Sequence, residues 1–114
     1  MINVNIFRDK DNIFGFEIVG HSDYAQYGKD IVCAAVSVLA QTSLMALVEV
    51  CGIEEGRLNY SLDDKLGNMV VSLPDDIDSE KEEKSQIVLK TFELGIKSII
   101  ESYPNNVALI TREV

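Results

Sequence analysis

The sequence predicts an α+β fold with elements in the order ββαββαβ, a mixed or antiparallel sheet layered against two helices. Three observations carry that reading. Short runs of alternating apolar and polar residues come in two pairs, at 2–19 and 57–73. One apolar stretch, far too long for a strand, lies between the pairs. A segment with helical apolar spacing then runs up to Pro104 and is followed by one more β-rich run. At 114 residues, with 46% hydrophobic residues, the chain can bury one moderate core. No repeat or linker divides it, so residues 1–114 read as a single domain.

In the first pair, "INVNIF" sets Ile2, Val4 and Ile6 against Asn3 and Asn5, and "IFGFEIV" places Phe14, Phe16 and Ile18 on one side. The polar turn "RDKDN" joins them as a hairpin. A helix follows from about Asp30 to Cys51 and stops at Gly52, a residue suited to a left-handed cap. In the second pair "RLNYSL" alternates Leu58, Tyr60 and Leu62, "DDKLGN" supplies the turn, and "NMVVSL" is a short β-rich run. The second helix opens at a capping box of Ser79 and Glu82 and carries Val88, Phe92, Ile96, Ile99 and Tyr103 at helical spacing. Pro104 ends it, and "VALITRE" is the last strand.

The apolar stretch from Ile31 to Cys51 has the length of a membrane span and a single charge, Glu49. Ser37, Gln41, Thr42 and Ser43 thin its hydrophobicity, and no cluster of Lys or Arg flanks it. It reads instead as a nearly fully buried helix, covered by the sheet on one face and by something else, such as a second subunit, on the other. The start "MINVNIF" lacks the basic and long apolar regions of a signal peptide, and two cysteines make no disulfide framework, so a cytoplasmic location is expected. A net charge of -9 repels phosphate backbones and argues against nucleic acid as a direct partner. It favours a basic protein or peptide.

The stretch "GHSDYAQYGKDIVCAAVS" holds the only histidine of the chain and one of its two cysteines. Asp30 stands where an N-cap belongs, which puts Cys33 in the first helical turn, where unpaired N–H groups and the helix dipole favour a thiolate. Gly20 and Gly28 let the loop fold back and bring His21 over the helix start, where it can draw off the thiol proton. The competing reading is structural, with the cysteine a small buried hydrophobe and the histidine a surface residue. Cys51 lies about 27 Å further along the same helix, at 1.5 Å per residue, too far to pair with Cys33. With one histidine and no second nearby cysteine, no zinc site is expected.

The pattern Gly20-His21, six residues, Gly28-Lys29-Asp30-Ile31-Val32-Cys33, then Ala34-Ala35 and Ser37, resembles the signature of the ribosomal-processing cysteine proteases, the Prp family. Length, acidity and element order resemble that family too. The resemblance implies a thiol protease with His21 and Cys33 as catalytic dyad, acting as a homodimer without a cofactor. It implies removal of a short N-terminal extension from a basic large-subunit ribosomal protein, the one numbered twenty-seven. Gly20, Ser22, Gly28, Asp30 and Ser37 become supporting or substrate-binding candidates. Family members usually carry Ala where this chain has Ser22. Ser37, one turn beyond Cys33, either lines the site or bonds back to a helix carbonyl. Two other classes use the same features differently: a thiol redox protein needs Cys33 without His21, and a non-catalytic dimeric ribosome-assembly factor needs neither.

Overall fold

The computed structural model describes residues 1–20, 29–63 and 68–113. The elements are β1 (Ile2–Asp9), β2 (Asn12–Val19), α1 (Lys29–Glu49), a short 3-10 turn (Glu55–Arg57), β3 (Asn59–Asp63), β4 (Asn68–Ser72), α2 (Ser79–Ser102) and β5 (Val107–Glu113). The order is the expected ββαββαβ. The five strands form one mixed sheet, β3-β4-β2-β1-β5, with β1 and β5 parallel and the other pairs antiparallel.

Alternation in β1 works as read: Ile2, Val4 and Ile6 are buried on the helix-covered face. On β2 the expected set is corrected by a bulge. Phe7 pairs with Gly15 but Arg8 pairs with Ile13, leaving Phe14 without an opposite residue. The extra residue resets the alternation. Ile13, Phe16 and Ile18 are therefore core residues, while Phe14 stacks on Phe7 with ring centroids 5.9 Å apart. The turn is also tighter than "RDKDN" suggests, since Asp9 pairs with Asn12 and Lys10 takes a φ of 60°.

Both helices pack on the same face of the sheet. Phe16 stacks on Phe92 of α2 at 4.1 Å, and Val32, Val36, Ala40 and Leu47 of α1 join the same core. The buried residues of α2 are Ser85, Leu89, Phe92, Glu93 and Ile96. Glu93 has its partner on β1: the Arg8 guanidinium binds its carboxylate in a two-pronged pair, one contact being Nη2 to Oε1 at 2.9 Å. That hydrogen bonding holds the Glu93 carboxyl below its ordinary range and raises the Arg8 guanidinium. The N-cap of α2 is Asp78, one residue before the expected Ser79, and its side chain accepts from the Lys81 N–H at 2.9 Å. The helix ends at Tyr103, before Pro104 as expected.

Of the two covers expected for helix α1, its own chain supplies the one on the sheet side. Within the chain only 28% of the apolar stretch Ile31–Glu49 is buried. The covered stripe is Val32, Val36, Ala40, Ser43 and Leu47, while Ile31, Val38 and Met45, spaced seven apart, are 56, 65 and 56% exposed. With apolar residues on both sides of the helix, the sequence hides the difference between these two faces. The chain leaves α1 through Gly52 at φ +79°, the left-handed conformation foreseen for it.

Candidate active site

Strand β2 ends at Val19, and Gly20 follows it and directly precedes His21. Its φ of +89° suits glycine, and a Cβ there would lie 2.7 Å from the Met1 carbonyl oxygen. The Gly20 N–H donates to Asn68 Oδ1 of β4 at 3.1 Å. The point from which the chain departs toward His21 is thus tied to β4 and leaves no room for a side chain beside Met1. His21, Ser22 and Gly28, together with the tyrosines between them, lie outside the described residues, as does the "DDKLGN" turn from 64 to 67.

Helix α1 begins at Lys29, so Asp30 is already a helical residue. The capping role expected for Asp30 is corrected accordingly, and Cys33 becomes the fifth helical residue, at the start of the second turn rather than within the first. Two consequences follow for the thiol. The helix dipole acts mainly within the first turn, so its help is smaller than the sequence suggested. The N–H groups without an intrahelical acceptor belong to the residues before Cys33. Side chains on a helix tilt toward its N-terminus, however, so the Cys33 side chain leans over that first turn and toward those donors.

Cys33 is half-buried and packs against the core, whereas Cys51 is 2% exposed. Neither is in a disulfide. Burial pushes the Cys51 thiol above its ordinary value, which keeps it protonated and unreactive. Ser37 is exposed one turn beyond Cys33, and it borders a cavity of about 180 Å³ between α1, β3 and β4. Gln41, Leu62, Asn68 and Met69 line the same cavity. Sequence reasoning missed these four; Gln41 follows Ser37 by one helical turn, whereas Leu62, Asn68 and Met69 meet it only because β4 pairs with β2 and β3 with β4. Among the described residues no cluster of three or more His, Cys, Asp or Glu is placed to hold a metal ion.

The model of the family described as cysteine protease Prp matches residues 1–108. The chain is 27% identical over 112 residues to the ribosomal processing cysteine protease Prp of Bacillus subtilis, covering 97% of both proteins. It is 30% identical over 110 residues to the Staphylococcus aureus protein of that name, covering 96% of this chain and 97% of that protein. A crystal structure of a Streptococcus mutans protein superposes with a TM-score of 0.86 at 30% identity, over 100% of this chain and 96% of that one. The S. aureus ribosomal processing protease Prp in complex with a substrate peptide superposes with a TM-score of 0.82 at 27% identity, over 98% and 100%. The match runs through nearly the whole chain in both sequence and fold, and the chain belongs to the cysteine protease Prp family.

Proposed function

We propose that residues 1–114 act as one cytoplasmic endopeptidase domain that removes the N-terminal extension of the large-subunit ribosomal protein numbered twenty-seven, using His21 and Cys33 and no cofactor. The observation that carries this reading is the contrast between the cysteines. In a family of cysteine proteases, a thiol that is 2% exposed is a poor nucleophile, which leaves Cys33. The S. aureus enzyme with a covalently linked product peptide, 28% identical with a TM-score of 0.78, supports covalent catalysis.

In this mechanism His21 takes the Cys33 proton, and Sγ attacks the scissile carbonyl carbon. N–H groups of the first turn of α1 receive the oxyanion. As the C–N bond breaks, His21 hands its proton to the leaving amine, and the extension stays on Sγ as a thioester. Water, deprotonated by His21, then releases the extension with a new carboxylate and restores the thiol. Gly20 and Gly28 shape the loop that carries His21, Ser22 supports it, and Ser37 borders the substrate; Asp30 lies in the turn beneath Cys33. The exposed stripe of Ile31, Val38 and Met45 supports a homodimer built on α1. Val38→Glu is then expected to yield monomer in sedimentation.

The deciding experiment mixes the protein with the extended ribosomal protein and reads intact masses. Wild type is expected to release the extension, and Cys33→Ser to hold the uncut protein in a stable complex. Release by Cys33→Ala, or wild-type cleavage by His21→Ala, overturns the dyad and returns the scaffold or redox readings.

A further inference from the structure

A second cavity, of about 400 Å³, opens where the β1–β2 turn meets the segment joining β4 to α2. Phe14, Leu73, Pro74 and Ile77 give it an apolar floor, and Asp9, Asp75 and Glu82 stand at its rim. No Lys or Arg lines it, and among the described residues none of these three carboxylates has an ion-pair partner. Its floor is braced from behind. The Gln86 amide accepts from the Ile13 N–H and donates to the Ile13 carbonyl, both at 2.7 Å, tying α2 to β2. The polar ends of Gln86 are therefore occupied, and the charge on offer to a ligand is the carboxylates'.

We infer that this cavity is an exosite for a basic segment of the protein substrate, downstream of the bond that is cut. The inference rests on the proposed reading of the site as a protease acting on a basic ribosomal protein. Unpaired carboxylates around an apolar floor suit the aliphatic stem and cationic head of Arg or Lys, and they repel anions. Because an N-terminal extension is removed, the body of the substrate lies on the C-terminal side of the bond, where a distant site can hold it. The distance is set by β2. Asn12 lines the cavity, and Gly20, at the other end of the strand, adjoins His21. Eight steps along a strand span roughly 26 Å at about 3.3 Å per residue. An extended substrate at about 3.3–3.6 Å per residue therefore needs at least about eight residues beyond the cleaved bond to reach the cavity.

The test compares kcat/KM on the whole extended ribosomal protein with kcat/KM on a peptide that stops about five residues after the bond, too short to bridge at the strand spacing. In Asp75→Asn/Glu82→Gln the ratio of long to short substrate is expected to fall about fivefold at low salt, as two partly screened charge pairs of up to ~0.5 kcal/mol each would give. Glu49→Gln/Glu54→Gln, with the same change in charge on exposed residues elsewhere, is expected to keep the wild-type ratio. An unchanged ratio in the first variant, or an equal fall in the second, overturns the exosite. A binding arm separates this from the protease reading. Fluorescence anisotropy follows a labelled peptide of the downstream basic segment on Cys33→Ser protein. About fivefold weaker binding on adding the two exosite changes supports the cavity even if wild type cuts neither substrate, and equal binding overturns it.

Discussion

Helix α1 places a cysteine near each of its ends. Cys33, fifth in the helix, is half-buried beside a cavity-lining turn and follows directly on the first turn's unpaired N–H groups. Cys51, two residues past the last helical one, is sealed into the core, its N–H bonded to the Ala46 carbonyl at 2.9 Å. The two thiols share a chemistry and differ in environment: Cys33 is partly open to solvent, and Cys51 serves as packing. Chemical role here follows from where the sheet and α2 cover the helix, and that difference can be broken from either end.

The largest expected effect is on activity. Cys33→Ala should lower kcat/KM by at least about 10³-fold, His21→Ala by a similar factor, and the double variant hardly further, because residues of one catalytic unit fail together. Cys51→Ala should stay within about twofold of wild type, since it alters no group that touches substrate. Steady-state cleavage of the extended ribosomal protein measures all four. A Cys51→Ala variant as inactive as Cys33→Ala would erase the comparison.

Alkylation sharpens it without a substrate. Iodoacetamide near neutral pH should modify Cys33 on the order of 100 times faster than Cys51, because a sealed, protonated thiol reacts only through local opening. Peptide mass mapping over time gives both rates, and equal rates would mean that Cys33 is not activated.

The same helix shows how far sequence reaches. Its existence and its stop at Gly52 were legible because a long apolar run and a glycine are local signals. Which face is covered was not, because Ile31 and Val32 look alike in sequence while one is exposed and the other buried. The start was misplaced for a similar reason. Asp30 resembles a cap, yet helical geometry already holds it, just as Asp78 and not Ser79 caps α2. In β2 the Phe14 bulge is set by pairing with β1, a partner that strand periodicity does not see. The candidate site divides likewise: Cys33 was readable as the cysteine nearest the only histidine, whereas Asn68 and Leu62 come to the cavity that Ser37 borders through sheet order alone.

Stability should report the difference in the opposite sense from activity. Cys51→Ser puts a hydroxyl into a packed interior and should cost about 1–3 kcal/mol in urea unfolding, while Cys33→Ser, half-buried at a helix turn, should cost under about 1 kcal/mol. Comparable losses at both positions would show that Cys33 is as firmly built into the core as Cys51.

The smallest effect lies in pH. Burial raises the folded-state pKa of Cys51 above its ordinary value, so the fold favours the protonated thiol. The stability that this thiol contributes is fully present below the unfolded-state pKa, about 8.5. It declines as pH climbs from there through the raised folded value, because the unfolded chain ionises first and is drawn off by its lost proton. The advantage of wild type over Cys51→Ala should therefore be constant from pH 6 to about 8 and shrink toward pH 10, as linkage requires of a thiol whose folded-state pKa is raised. Cys33 is common to both proteins and cancels in the difference. Urea midpoints at matched ionic strength supply the measurement. A gap that stays level or widens with pH would mean that the Cys51 thiol is as well solvated in the fold as out of it, contrary to its burial.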